Sequence, residues 1–157
     1  MRRLVVLLTA LSLLGAAPTA ARQDGGTVVK AAANKTLNKT ILVNAKGLTL
    51  YFWTADTATH STCINDPTYH CSKVWPPLLT TGDPQSGPGV KASLLGTLVR
   101  DDGGTQVTYA GHPLYTFHGY SGTPPDRKPG QLHGQGYVGL WWVITPAGKK
   151  ITKVPHT

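Results

Sequence analysis

Two histidines and two cysteines lie close together in the chain, at His60, Cys63, His70 and Cys71. Two imidazoles with two thiolates could complete a zinc or copper site. The spacing matches no common zinc pattern, because His70 directly precedes Cys71 and adjacent residues rarely chelate one ion well. Two cysteines in an exported protein most simply form one disulfide. We therefore predict a Cys63–Cys71 disulfide and no cofactor, with a copper or zinc site at the four residues as the alternative.

Other residues that could do chemistry form weaker patterns. His112, His118 and His133 are a loose group that we interpret as solvated loop histidines, with copper or haem binding as the alternative. The haem attachment sequence Cys-x-x-Cys-His is missing. Asp101 and Asp102 are paired carboxylates, but they lie in a predicted hairpin turn, and no Ser or Cys occupies a strand-to-helix elbow. These patterns favour a protein that is not an enzyme.

The first 21 residues have the order of a secretory signal peptide. Arg2 and Arg3 give a positive start, residues 4–14 are mainly apolar, and small residues follow. The apolar run is too short to cross a bilayer, which takes about 20 residues, and no later segment approaches that length. We predict export and a mature chain without a transmembrane segment, secreted or associated with the cell envelope.

Composition argues against a helical protein and against nucleic acid as a partner. All seven acidic residues are aspartates, so glutamate, a strong helix former, is absent, and the chain has 18 Gly and 12 Pro. The formal net charge of +8 could favour an anionic envelope polymer. The lysines are scattered, and neither a basic helix nor a stacking motif for nucleic acid is visible.

One unit occurs twice in the chain. Residues 47–53 align with residues 111–117, which superposes Tyr51 on Tyr115, and residues 75–82 align with residues 141–148. We predict a signal peptide at 1–21, a flexible lead-in at 22–39 and a single β domain at 40–157, with repeat one at about 40–82 and repeat two at about 94–148.

Runs of β-branched and aromatic residues flank short Gly-containing loops, which is typical of hairpins. The predicted strands are 40–43, 48–53, 94–100, 105–109, 114–117, 141–145 and 149–154. A turn at 101–104 joins the third of these to the fourth. Only 31–38 and 90–95 could hold a short helical turn. The predicted fold class is all-β, an antiparallel meander or sandwich built from two homologous repeats.

Two long polar connections, 57–73 and 118–139, lie at the same place in the two repeats. Loops of this length are usually functional or mobile. Because their positions correspond, we expect them to emerge on one side of the domain. A functional site, if one is present, is expected there.

Residues 51–56 have the pattern tyrosine, any residue, aromatic, any two residues, aspartate, formed by Tyr51, Trp53 and Asp56. Together with Cys63, Cys71, Trp75 before two prolines, and Tyr115 and Phe117 in the second copy, this pattern resembles the bacterial secreted-repeat family of predicted lipoproteins named for a Yx(FWY)xxD motif. The resemblance covers most of residues 40–150. It implies an exported or envelope protein with no established activity.

The chain departs from the family pattern in three places. Tyr120 stands where the second copy should have an aspartate, which argues against a role that needs two matching carboxylates. The cysteines are more widely spaced than is usual for the family. The first cysteine is Cys63, far beyond the signal peptide, so we predict a released protein and not a lipid-anchored one.

The motif also has a physical interpretation. Tyr51 and Trp53 share one face of a strand, and Asp56 falls just beyond its end, where an aspartate commonly accepts hydrogen bonds from turn amides. We interpret Tyr51, Trp53, Trp75, Tyr115 and Phe117 as core residues and Asp56 as a turn cap, with Asp56 as a ligand or base in the alternative.

The preferred function is a non-catalytic binding or structural module of the cell envelope. The first alternative is a copper- or zinc-binding or redox protein that uses the cysteines and histidines of the first loop. The second is a hydrolase of wall or glycan material, for which the sequence offers no acid/base pair.

Overall fold

The computed structural model describes residues 25–155, so the predicted signal peptide lies outside the described residues. Besides 3₁₀ turns at Ala92–Leu94 and Tyr137–Gly139, the regular structure of that part consists of nine strands and one α-helical turn. They are β1 (Val28–Asn34), β2 (Lys39–Asn44), β3 (Tyr51–Trp53), α1 (Cys71–Val74), β4 (Leu79–Thr80), β5 (Gln85–Ser86), β6 (Leu95–Val99), β7 (Thr105–Tyr109), β8 (His112–Pro113) and β9 (Trp141–Val143). All strand pairs but one are antiparallel. The prediction of an all-β fold is confirmed.

Most of the described segment before residue 40 is strand β1, and this corrects two predictions. The flexible lead-in at 22–39 and the helical turn at 31–38 are wrong over β1, which pairs with β2 from Val29↔Asn44 to Asn34↔Lys39. Ala31 to Ala33 favour a helix by propensity. A strand forms instead because β2 occupies one edge of β1 and β5 the other, so tertiary pairing overrides a weak local preference.

The hairpin at 94–109 matches its prediction closely. Strand β6 pairs with β7 from Leu95↔Tyr109 to Val99↔Thr105, and the turn between them is the predicted one at 101–104. Gly103 and Gly104 both have positive φ, which explains why this turn carries two glycines. The 3₁₀ turn at Ala92–Leu94 confirms the short helical turn expected at 90–95.

Strands of each repeat pair with strands of the other. Strand β3 of repeat one pairs with β9 of repeat two, from Tyr51↔Val143 to Trp53↔Trp141. In the other direction, Leu78 N–H donates to the Leu114 carbonyl and Thr116 N–H to the Pro76 carbonyl. Between these two contacts Tyr51 and Tyr115 exchange both backbone hydrogen bonds, each 2.9 Å long. The duplicated unit is therefore interlocked with its copy.

Two core clusters lie on opposite faces of the crossing strands. Tyr51 belongs to one cluster, while its neighbours Leu50 and Phe52 belong to the other. Tyr115 and Leu114 divide in the same way, as alternation along a strand requires. Both clusters contain residues of both repeats, so neither repeat has a core of its own.

Candidate functional site

The two motif tyrosines donate hydrogen bonds to aspartates of the opposite repeat. Tyr115 of repeat two donates its hydroxyl to Asp56 Oδ2, and Tyr51 of repeat one donates to Asp126 Oδ2, both at 2.5 Å. Both tyrosines are fully buried. The motif therefore acts across the interface between the repeats, through a contact that its spacing within one repeat does not show.

Asp56 anchors the first long loop as well as Tyr115. Its backbone N–H donates to Trp53 O, and its Oδ1 accepts bonds from the N–H and the hydroxyl of Thr62, both at 2.8 Å. The carboxylate is half-buried. Asp56 therefore anchors the first loop. One of its donors, the Thr62 amide, lies beyond the turn.

Asp126 has the same role in repeat two, although the motif within that repeat does not include it. Its N–H donates to Phe117 O, as that of Asp56 does to Trp53 O, and its Oδ1 accepts the N–H of His133 at 3.0 Å. Tyr120, at the motif position, is exposed. The matching carboxylate of repeat two is thus supplied by Asp126 and not by the residue at the motif position. One signal could have found it, because Asp126 is the single acidic residue in the loop at 118–139.

Burial and the facing carboxylates raise the pKa of both tyrosines above the ordinary value. For Tyr51 burial is the larger cause, followed by the charge of Asp126 and the hydrogen bond to it. For Tyr115 burial again comes first and Asp56 second. Both phenols are therefore neutral donors at neutral pH, which suits anchoring and not base catalysis.

Arg100 joins the first loop to the body of the domain and is a second residue that the sequence did not reveal. It is buried and donates to both oxygens of Asp102, to Ser61 Oγ at 2.7 Å and to the Cys63 carbonyl at 2.7 Å. The Arg100 guanidinium can only donate, so Ser61 Oγ accepts its hydrogen bond. The Asp56 carboxylate accepts the single O–H of Tyr115. Ser61 must therefore donate to the Tyr115 hydroxyl, 2.6 Å away.

The pair Asp101 and Asp102 is a turn with a structural partner. The hydrogen bond from Arg100 lowers the pKa of Asp102 and keeps it ionised. In return Asp102 raises the pKa of Arg100 against the opposing effect of burial. Asp102 also accepts the N–H of Asn65, which adds another bond to the first loop.

Cys63 and Cys71 form a disulfide in the structure. Both sulfurs of the alternative metal quartet are therefore bonded to each other. Of its histidines, His60 Nδ1 lies 3.5 Å from Asp101 Oδ2, and His70 is exposed at the start of α1. Among the described residues, no group of three or more His, Cys, Asp or Glu side chains is arranged to hold a metal ion.

The three histidines of the second half have separate surroundings. The ring of His112 lies 4.3 Å from that of Phe52, and burial lowers its pKa. His118 is exposed. His133 Nδ1 lies 2.9 Å from Asp126 Oδ1, so this histidine belongs to the anchor of the second loop.

A cleft of about 780 Å³ lies between the two long loops. The first loop contributes Asp66, Tyr69 and His70 among others, and the second contributes Tyr120 and Tyr137. This is where the positions of the loops in the two repeats predicted a site. A cavity of this volume is within the range of small-molecule sites.

Six of the twelve residues that line the cleft are aromatic. The rings of Trp75 and Trp141 are parallel with centroids 3.9 Å apart, and Trp53 stacks on Trp141 at 5.3 Å. Trp75 and Trp141 are nearly inaccessible and form the floor. The more accessible rings are Trp53, Tyr69, Tyr120 and Tyr137. Two motif positions, Trp53 and Trp75, thus belong to both the core and the cleft.

The polar side chains of the cleft come from the first loop and are Thr62, Asp66, Thr68 and His70. Asp66 Oδ1 accepts the N–H groups of Tyr69 at 2.6 Å and Thr68 at 2.9 Å. The amide of Tyr69 is the main cause that lowers the pKa of Asp66. Asp66 is therefore a fixed negative charge beside the aromatic rings.

Interlocked repeats, crossed tyrosine–aspartate anchors and an aromatic cleft define an all-β protein of two repeats. The chain belongs to the Lipoprotein_15 family, described as a secreted repeat of unknown function, whose model matches residues 34–79 and 96–145. The match confirms the resemblance seen in the motif and agrees with a location outside the cytoplasm. No curated protein and no solved structure matches the chain. No helix in residues 25–155 is long and apolar enough to cross a membrane.

Proposed function

We propose that this exported protein is a non-catalytic binding module of the bacterial cell envelope, and that its ligand lies in the aromatic cleft. The observation that carries the proposal is a cleft of about 780 Å³ walled by aromatic side chains from both long loops. Ligand sites are typically concave and mainly apolar, with a few polar groups that orient the ligand. The cleft has this composition.

The exposure of the cleft rings supports binding over a purely structural role. Tyr69 is 79% exposed and Tyr120 is 52% exposed, although an aromatic ring gains most from burial. Both rings stand at the cleft, where a ligand would cover them. Exposed apolar surface of this kind is typical of interaction sites.

The surroundings of the titratable groups support a role without catalysis. Asp56, Asp102 and Asp126 each accept hydrogen bonds from loop amides and from one buried side chain, Tyr115, Arg100 or Tyr51. Their hydrogen bonds stabilise loops. The net charge of +8 favours an anionic envelope polymer as a second partner. Since the described residues that line the cleft include neither Lys nor Arg, such a polymer would bind outside it.

Tryptophan emission provides a direct test, because three of the four tryptophans line the cleft. The exported protein is titrated with soluble envelope probes: an N-acetylglucosamine oligomer, a glycerol-phosphate polymer and choline. We expect at least one probe to change the emission saturably, and the change to be lost in Tyr69→Ala with Tyr120→Ala.

Val99→Ala is the matched control, because Val99 is 78% exposed and does not line the cleft. Trp142→Phe removes the tryptophan outside the cleft and should leave the signal unchanged. If no probe binds, or if binding survives undiminished in the double variant, the proposal is wrong.

A further inference from the structure

We propose that the ligand of the cleft is an organic cation of the quaternary ammonium class, held against the tyrosine and tryptophan rings and beside the Asp66 carboxylate. This inference rests on the proposed binding function of the cleft. It adds the chemical class of the ligand.

The accessible rings of the cleft provide the first part of the argument. Trp53 of β3, Tyr69 of the first long loop, and Tyr120 and Tyr137 of the second line one cleft. The face of an aromatic ring is electrically negative, so a cation within about 6 Å of the ring centre is attracted to it, most strongly at tryptophan. Several rings around one volume attract a cation together, as in the aromatic cages that bind choline-like groups.

The charge of the cleft provides the second part. Asp66 is the one carboxylate that lines it, and the pKa of Asp66 is lowered by the turn amides, so the group stays ionised at neutral pH. The amides of Thr68 and Tyr69 both bond to the same oxygen, Oδ1. Asp56 lies directly behind the wall residue Thr62, which donates to it.

The cleft differs in charge from the rest of the chain. The sequence has 15 Lys and Arg against 7 Asp and Glu. Nevertheless, the residues that the structure places on the cleft wall include one carboxylate and neither Lys nor Arg. A cleft wall with one carboxylate and neither Lys nor Arg, in a strongly basic protein, has a local charge suited to a cation. An anionic ligand would meet repulsion from Asp66.

Hydrogen-bonding capacity separates a quaternary ammonium from a neutral sugar. A sugar brings many hydroxyls that need partners when they are buried. Two of the four polar side chains of the first loop that line the cleft are already engaged, since the Thr62 hydroxyl donates to Asp56 and Asp66 Oδ1 accepts two amides. A quaternary ammonium has no N–H group, so it needs no acceptor. The cleft volume of about 780 Å³ also leaves room for the rest of a molecule that carries such a headgroup.

The test compares choline with 3,3-dimethyl-1-butanol, which has the same shape with carbon in place of the charged nitrogen. Both are titrated into the exported protein and followed by calorimetry and tryptophan emission. We expect choline to bind saturably and the neutral compound to bind at least about tenfold more weakly, because the cation–π attraction is lost. Asp66→Asn should weaken choline binding severalfold, since Asn can still accept the turn amides and preserve the loop.

Two control variants lie outside the cleft. Asp83→Asn removes an exposed carboxylate elsewhere, and Trp142→Phe removes the tryptophan outside the cleft, so neither should change choline affinity. Equal binding of the two compounds would overturn the cation assignment and leave the cleft as a binding site. Binding of the N-acetylglucosamine oligomer without binding of choline would do the same. Failure of every probe would overturn the proposed function as well.

Discussion

The loops at 57–73 and 118–139 are anchored by the same crossed contact but stabilised by different means. Asp56, just before the first loop, and Asp126, within the second, each accept a tyrosine hydroxyl from the other repeat. The first loop adds a disulfide and the buried Arg100. The second loop has a more deeply buried aspartate, Asp126. It is also held by Asn34, whose side chain donates to the Gly130 carbonyl at 3.1 Å.

This difference separates the contacts that both repeats share from those that only the first loop has. The anchor geometry is present in both repeats even though the aspartate lies further along the chain in the second, whereas the disulfide and Arg100 serve one loop alone. The crossed hydrogen bond is therefore common to both repeats. The extra stabilisation of the first loop holds in place the residues that contribute Asp66, Tyr69 and His70 to the cleft.

The largest expected effect is the loss of Arg100. Arg100→Ala removes the donor to Ser61, Cys63 O and Asp102 in a buried site, and should lower the free energy of unfolding by about 3 kcal/mol. Asn34→Ala, the corresponding change for the second loop, should cost about 1 to 2 kcal/mol, because it removes neutral hydrogen bonds. Urea denaturation measures both. A smaller loss in Arg100→Ala than in Asn34→Ala would contradict the comparison.

The disulfide should come next. Cys63→Ala with Cys71→Ala should lower the free energy of unfolding by about 2 to 3 kcal/mol, because the unfolded chain gains the freedom of the opened loop. Reduction of the unmodified protein should produce the same loss in denaturation curves. We also expect weaker ligand binding in the cleft, since Cys71 is part of its wall. Unchanged stability after complete reduction would show that the bond does not constrain the first loop.

Substitution of the two anchoring aspartates should lower the free energy of unfolding by different amounts. Asp126→Ala leaves Tyr51 O–H and His133 N–H without an acceptor in a buried site and should cost about 2 kcal/mol. Asp56→Ala should cost about 1 kcal/mol, because Asp56 is half-buried and water can replace part of its role. Thermal and urea unfolding of the two variants give the comparison. Equal losses would mean that burial does not distinguish the anchors.

Alkaline pH should weaken both anchors together. Unfolded tyrosines release their protons near the ordinary pKa of 10.0, whereas Tyr51 and Tyr115 hold theirs to higher pH when folded. Above pH 10 the unfolded state therefore binds fewer protons, and the free energy of unfolding falls as pH rises. Denaturation between pH 9 and pH 12 should show this fall. Tyr51→Phe and Tyr115→Phe should each make it less steep, and an unchanged slope in both would contradict the assignment.

Much of the architecture was predictable because it depends on local patterns. The hairpin at 94–109 follows from β-branched runs on either side of a turn with two glycines, and the structure contains it with that turn. The strand at 28–34 was missed because its three alanines carry a helical preference and no alternation of apolar and polar residues. Its partners β2 and β5, one of them distant in the chain, make it a strand.

The candidate site was only partly predictable. The loops that border the cleft could be located by their equivalent positions, and Trp53 and Trp75 by the motif. Arg100 could not be found, because a single arginine at the end of a strand looks like a surface residue until Ser61 and Cys63 fold against it. Asp126 was missed because the motif was read within one repeat, whereas its tyrosine partner lies in the other.

The amino-acid sequence by itself determined the all-β class, the duplication, the disulfide partners and the family, because each depends on composition, spacing or local pattern. The tertiary structure decided which strands pair, which carboxylates anchor the loops and where the cleft opens. The physical reason is that Tyr51 pairs with Tyr115 and each repeat completes the other. Contacts between residues so far apart leave no signal in the spacing of either repeat.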